Sequence, residues 1–472
     1  MSLRDDAIAI WKAGVAAVDS SSAVACRIQV DQHELQIADV RLPFSSARRI
    51  EIVGAGKAGA GMASGVEAAL LSTGVADRVS GWVNVPADCV RALNRIHLHA
   101  ARPAGVNEPT QEAVDGTQEI LRRVQSLTES DVCIVLLSGG ASALLCSPVP
   151  EITLHEKQLV TRILAGSGTP IHELNLVRTQ LSQVKGGRLA TACQAGTLVA
   201  LIISDVIDDP LEVIGSGPTA SANSRAADAL RVLASRGLLD KIPPRVVGFL
   251  EQQVCLGKTV DHALRPFDQH RLFNRIVASN AIAIEAATVK AVGLGYEVES
   301  LGSANAGDAA DEGRKLVSRL RSLPTQSASG GLQAENNNHR RVCILSGGEP
   351  TVDLFVGRDR GDISAGQSET SSRGGRNQEL VLAALAQFSD SGDWENIVLL
   401  SAGTDGEDGP TDAAGAIADK SLTERIARSG LDPNEYLERH DSYTFFDAVD
   451  GLFRTGPTHT NVMDLRVGLR LL

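Results

Sequence analysis

Short apolar runs recur along this chain, and each leads into glycine, serine or aspartate. Ile50–Val53 runs into Gly54-Ala-Gly-Lys-Ala-Gly59, Cys133–Leu137 into Ser138-Gly-Gly-Ala-Ser142, Leu198–Ile203 into Ser204-Asp205, and Leu272–Ala278 into Ser279-Asn280. Val342–Leu345 then precedes Ser346-Gly-Gly-Glu349, and Ile397–Leu400 precedes Ser401-Ala-Gly-Thr-Asp405. Helical patterns lie between many of them, as over 58–71 and 377–388. Continuous apolar strands alternating with helices predict an α/β fold whose parallel sheets are covered on both faces. Ligands of such sheets bind beyond the carboxyl ends of the strands. The glycines and polar residues gather at those ends here, so the chain reads as an enzyme with phosphate-binding loops.

A length of 472 residues calls for more than one domain. Residues 240–270 are mixed in character, with Pro243-Pro244 and then Pro266, and a fresh strand–helix–strand unit starts at Arg271. The expected domains are therefore 1–270 and 271–472. Residues 324–340 and 357–375 are rich in Ser, Gly, Asn and charge, and read as polar insertions with too little apolar surface to pack.

The net charge of −12 and an aromatic content of 3% argue against nucleic acid and anionic membranes as partners. Seven cysteines without a C-x-x-C pair suit reduced thiols. No apolar run approaches the ~20 residues of a membrane span, and residues 1–17 lack the apolar core of a signal peptide. A cytoplasmic location is expected, and a homodimer is compatible with the composition.

Gly54-x-Gly56-x-x-Gly59 has the spacing of a dinucleotide fingerprint, but the next strand ends in Asn84-Val85-Pro86 rather than the acid that fingerprint expects. What the loop supplies is backbone N–H groups at a helix start together with Lys57, an anion site of general type. Ser138-Gly139-Gly140-Ala-Ser142 is a second small-residue loop through which the backbone can approach phosphate oxygens. Arg178, Ser182 and Lys185 fall at helical spacing ahead of Gly186-Gly187, which breaks the helix. Carboxylates cluster after two strands, Asp205 with Asp208 and Asp209, and Asp405 with Glu407, Asp408 and Asp412. Such clusters can hold Mg²⁺, and they also serve as turn and cap residues. Arg376 opens a helix after Gly374-Gly375, where its planar fork can reach a phosphate or a carboxylate. There is no G-x-x-x-x-G-K-[ST], H-R-D or D-F-G, so neither a P-loop nor a protein-kinase fold is expected.

Taken together the strings resemble the class II glycerate kinases of MOFRL type. They are VGAGKAGAGMA from Val53, LLSGGASALL from Leu136, LNLVRTQLSQVKGGRLA from Leu174, ISDVIDDPLEVIGSGPT from Ile203, LSGGEPTV from Leu345, GGRNQELVLAAL from Gly374, SAGTDGEDGPTDAAGA from Ser401, and GPTHTNVMDLRV near the end. The resemblance spans nearly the whole chain. It implies an N-terminal Rossmann-like domain, a smaller C-terminal α/β domain and an active site in the cleft. The implied activity is ATP-dependent phosphorylation of D-glycerate to 2-phosphoglycerate. Lys57 and Arg376 match the family's best catalytic candidates. From the carboxylate clusters, Asp205 is expected as metal ligand or base and Asp405 as a second ligand for Mg²⁺. The expected nucleotide-binding set is Gly54, Gly56, Ser138, Gly139, Gly140, Ser142, Lys185 and Asn280. The chain departs from the family pattern at Arg102-Pro103, where His-Pro is common, at Pro86–Cys89, and at Ala141, where glycine is usual. An NAD(P)-dependent hydroxypyruvate reductase and a non-catalytic phosphosugar-binding protein are the alternatives, and the acidic loops at Asp205 and Asp405 argue against both.

Overall fold

The computed structural model describes residues 2–221, 224–256, 270–324, 340–352 and 373–472. The chain forms two compact units. One is Ser20–Ala278, and the other combines Met1–Asp19 with Ser279–Leu472.

The first unit opens with a small antiparallel meander, β1 (Ile28–Val30), β2 (Glu34–Ile37) and β3 (Val40–Pro43). Its body is a six-stranded, wholly parallel sheet of β4 (Ile50–Ala55), β5 (Val79–Pro86), β6 (Ile96–Arg102), β7 (Val132–Leu137), β8 (Thr197–Ile203) and β9 (Leu272–Ala278). The strands lie in the order β6-β5-β4-β7-β8-β9. Counted from β4 this is 3-2-1-4-5-6, the doubly wound order of Rossmann-like sheets, which reverses between β4 and β7. Those two strands are buried along their whole length, as their unbroken apolar runs require, whereas the edge strand β6 alternates buried and exposed positions. Helix Gln111–Gln125 covers one face with Ala113, Ile120, Leu121 and Val124, packed in one core with Val135, Leu137 and Ala200.

The expected boundary near 270 is displaced in the structure. β9 begins at Leu272, but it pairs in parallel with β8 and completes the first sheet, so the chain divides after Ala278. Helix Leu3–Ala17 belongs to the second unit. A Ser2–Asp5 capping box starts it, and it buries Ala7, Ile10 and Trp11 against Leu465 and Val467.

The second unit holds β10 (Glu297–Ser300), β11 (Arg341–Gly348), β12 (Ile397–Gly403), β13 (Gly415–Asp419), β14 (Leu452–Phe453) and β15 (Asp464–Leu471), in the order β10-β11-β15-β12-β13-β14. The expected parallel sheet is here a mixed one. Only β10 and β11 run parallel; β15 lies antiparallel between β11 and β12. The connection from Gly403 to Gly415 carries no helix, so β13 returns antiparallel beside β12.

The helical reading of Arg178, Ser182 and Lys185 is also corrected. Helix Ile171–Gln180 stops before Ser182. The Ser182 hydroxyl accepts from the N–H groups of Val184 and Lys185 at 3.3 and 3.4 Å, a local turn that competes with helix continuation. Most of the two polar insertions lies outside the described residues. No helix among the described residues is long and apolar enough to cross a membrane. All seven cysteines are free thiols.

Candidate active site

The loops after β4 and β7 meet at the reversal of the first sheet. Lys57 N–H donates to the Gly139 carbonyl at 2.8 Å, and Ala58 N–H to the Ser138 hydroxyl at 3.1 Å. The loops touch so closely that a Cβ on Gly56, which has φ +152°, would lie 2.0 Å from Ser138 Oγ. Helix Gly59–Leu70 then starts with no side-chain cap, leaving donors of its first turn for a ligand.

Three charged side chains converge on the second loop. A Cβ on Gly140, where φ is +80°, would meet Lys57 Cγ at 3.3 Å and Arg102 Nη2 at 3.5 Å. A Cβ on Gly139 would lie 2.1 Å from Asp205 Oδ2. Lys57 is exposed and Asp205 half-buried, while Arg102 is buried and donates to Asn107 Oδ1 at 2.9 Å and to the Val106 carbonyl. Burial holds the Arg102 guanidinium below the usual arginine range, against the opposing pull of Asp88 and Cys89. The Cys89 thiol is pushed up by burial and then by Asp88, with Lys57 and Arg102 opposing. The segments that depart from the family pattern, Pro86–Cys89 and Arg102, thus stand beside Lys57. Arg102 was not singled out as a site residue; its place at the carboxyl end of β6 was the available signal.

Lys185 is not on the ligand-facing surface. It is fully buried and spends its three donors inside the chain, on the carbonyls of Ser142 and Gly215 at 3.2 and 3.1 Å and on Ser216 Oγ at 3.2 Å. Ser142 and Ser216 hydroxyls meet at 2.9 Å, and Ser216 donates to Asn175 Oδ1 at 3.2 Å. Lys185 therefore ties the Ser138–Ser142 loop to the Gly215–Gly217 turn. A hollow of about 470 Å³ lined by Gln111, Gln118, Pro148, Val149 and Gln183 carries no titratable side chain and is not this site.

In the second unit, Gly348, Asp464 and Gly403 form one row across the ends of β11, β15 and β12. Asp464 receives the Arg376 guanidinium with both oxygens, at 2.7 and 2.9 Å, and Arg376 Nη1 lies 3.1 Å from Glu349. Burial would lower the Arg376 pKa, but the Asp464 and Glu349 carboxylates outweigh it and raise it. Helix Arg376–Gln387 has Gly375 at its N-cap, and Asp408 supplies the missing cap. Its carboxylate accepts from Asn377 and Gln378 N–H at 3.0 and 2.8 Å. Asn280 is buried and donates to the carbonyls of Val462 and Asp464 at 2.7 and 2.8 Å, so it braces the start of β15. Asp464 was missed as a single residue, although the string around it was recognised; an acid at the start of a buried strand was the signal.

Asp205 and Asp405 belong to different units, and no group of three or more His, Cys, Asp or Glu side chains poised for a metal occurs among the described residues.

Residues 6–251 match a domain of unknown function, DUF4147, and residues 342–464 match the MOFRL family. Glycerate kinase from Homo sapiens is 33% identical, over 98% of this chain and 92% of that protein. A protein of Agrobacterium vitis described as a putative hydroxypyruvate reductase is 37% identical over 90% of this chain and 88% of its own length. The crystal structure of glycerate kinase from Thermotoga maritima superposes with a TM-score of 0.77 at 30% identity, covering 99% of each chain.

Proposed function

The chain belongs to the glycerate kinase family, and we propose that it transfers the γ-phosphoryl group of ATP to the 2-hydroxyl of D-glycerate, with Mg²⁺, in the cytoplasm. One observation carries the site assignment: two glycine loops meet where the strand order reverses, with Lys57 and Asp205 beside them.

Phosphoryl transfer asks little covalent chemistry of a protein and much positioning and charge neutralisation. Gly54, Gly56, Ser138, Gly139, Gly140 and Ser142 form the cradle for the ATP phosphates, aided by the uncapped helix start at Gly59. The Lys57 ammonium neutralises charge on the transferring group. Arg376, aligned by Asp464 and by Glu349, meets an anionic group of the reactants with the N–H groups that these two carboxylates leave over. Asn280 holds the β15 end that carries Asp464.

Mg²⁺ fits the donor present. It is usually held by one or two carboxylates together with phosphate oxygens, and Asp205 presses its carboxylate against the phosphate loop at Gly139. Asp205 would hold the ion or accept the hydroxyl proton. Bound there, Mg²⁺ supplies neutralisation of phosphate charge.

The reductase reading meets a specific obstacle. Asn84, where the dinucleotide fingerprint needs an exposed acid, is fully buried and donates to the Leu144 carbonyl at 2.9 Å. An ADP-release assay over hydroxy acids and sugars, run beside a nicotinamide-absorbance assay with hydroxypyruvate, separates the two. ADP release dependent on D-glycerate is expected; oxidation of NAD(P)H by hydroxypyruvate would reverse the assignment.

A further inference from the structure

Of the three charged side chains that converge on the Ser138–Ser142 loop, only Arg102 is buried, at 4% exposure. It ends β6, the edge strand of the first sheet. One side of its guanidinium is engaged: Nη1 donates to Asn107 Oδ1 at 2.9 Å and to the Val106 carbonyl, so the turn after β6 holds the plane of the group. The other edge is free. Nε is sealed from solvent with no hydrogen-bond partner, and Nη2 has no partner among the described residues.

A buried cation normally receives a carboxylate. Elsewhere this chain pairs buried charge in that way: fully buried Glu51 meets Arg49 and Arg123 at 2.7 and 2.8 Å. Arg102 has no ion pair among the described residues. Asp88 bears on it electrostatically, but Asp88 is exposed and forms no ion pair with it.

The free edge borders a gap at the loop. A Cβ on Gly140 would lie 3.3 Å from Lys57 Cγ and 3.5 Å from Arg102 Nη2, so the missing side chain leaves a space bounded by both cations. Lys57 is exposed and Gly140 half-buried, and the space opens to solvent on that side. Asp205 lies against Gly139, on the β8 side of the same loop. The loop therefore has an acid on one flank and two cations on the other.

We propose that Arg102 is a specificity-determining residue whose Nε–Nη2 edge receives the carboxylate of the acceptor, seated over Gly140 beside Lys57. Two parallel N–H groups along one edge of a guanidinium match the two oxygens of a carboxylate. The ATP phosphates have the backbone donors of the two loops and the Lys57 ammonium. A fixed cation to one side of them reaches the other anionic group of the reaction, and a neutral polyol has no such group. The proposal rests on the glycerate kinase reading for the identity of the acceptor.

The test compares the full chain with Arg102→Gln and with Arg102→His, which carries the residue common in the family and serves if the first variant fails to fold. D-glycerate and its neutral amide, glyceramide, are the acceptors in an ADP-release assay. Wild type should favour the acid in kcat/KM. Arg102→Gln should raise the KM for D-glycerate about tenfold or more, the scale of one charge-assisted contact. It should lower the preference for acid over amide by the same factor and leave the KM for ATP near the wild-type value. Arg102→His should shift both quantities in the same direction. A structural role alone would weaken the two acceptors alike, so an unchanged preference overturns the assignment. A rise confined to the KM for ATP moves Arg102 to the nucleotide and overturns it too. Absence of ADP release by the wild type with D-glycerate would sink the kinase reading instead. Thermal midpoints with D-glycerate alone need no turnover and decide Arg102 in that case. Stabilisation of the wild type that the variants lose supports the site; stabilisation shared by all three, or absent from the wild type, overturns it.

Discussion

Asp464 grips the Arg376 guanidinium with both carboxylate oxygens, at 2.7 and 2.9 Å, from the row where β11 and β12 end in Gly348 and Gly403 and β15 begins at Asp464. Asp464 is fully buried, so the pair fixes the arginine's plane rather than merely its charge. Arg376→Ala is expected to lower kcat on the order of 10³-fold, the scale of a charged group that stabilises phosphoryl transfer. Arg376→Lys should not rescue it, because the fork is lost. Asp464→Asn should cost about 2–3 kcal/mol of stability in urea unfolding, as expected for a hydrogen bond to a charged group. It should also lower kcat. Because the two residues touch, the double variant should be little worse in turnover than Arg376→Ala alone. Fully additive losses would mean that Asp464 does not act through Arg376.

Gly139 and Asp205 give a steric test. A methyl group at residue 139 would sit 2.1 Å from Asp205 Oδ2, so Gly139→Ala must displace the carboxylate or the loop. A shift of about 1 Å at a reacting centre costs on the order of 10²-fold in rate. The expected result is that loss in kcat with a nearly unchanged thermal midpoint. Wild-type turnover in Gly139→Ala would remove Asp205 from the active centre.

Much of this was legible in the sequence because apolar runs and terminal glycines carry positional meaning. The runs beginning at Ile50, Cys133 and Leu198 became buried central strands, and the loops after the first two meet at the point of reversal. The pairing of strands was less legible. Nothing local in 464–471 says that β15 enters antiparallel between β11 and β12, or that β9 closes the first sheet, because both depend on long-range contacts. Spacing also misled at Lys185. Its i+7 relation to Arg178 looked helical, but Ser182 turns the backbone and the lysine points inward. The polar stretch 357–375 falls almost wholly outside the described residues.

Lys57 separates a catalytic cation from a surface one. It is exposed beside Gly140 and Arg102, and Lys57→Ala should reduce kcat on the order of 10³-fold with a smaller effect on KM. Near wild-type turnover would make it an ordinary solvated lysine. Activity should likewise require Mg²⁺ and vanish in excess EDTA, and Asp205→Asn should lose most of kcat.

Asp408 links pH to the cap of helix Arg376–Gln387. Burial pushes its carboxyl up to about 7, with Asp464 adding to it and the Asn377 and Gln378 N–H groups opposing. A carboxyl whose folded pKa is raised favours the folded state while protonated. Its contribution is therefore complete below the unfolded value near 4 and is lost as pH rises through about 7. The stability of the wild type relative to Asp408→Asn should fall between pH 4 and 7. A difference that stays flat over that window would show that Asp408 does not titrate there.

The central claim is tested most directly by the product. Purified enzyme with ATP, Mg²⁺ and D-glycerate should release ADP in step with acceptor consumption, and phosphorus NMR should show 2-phosphoglycerate as the sole new phosphomonoester. Clean 3-phosphoglycerate would contradict the assigned hydroxyl, and no glycerate-dependent ADP release would contradict the account itself.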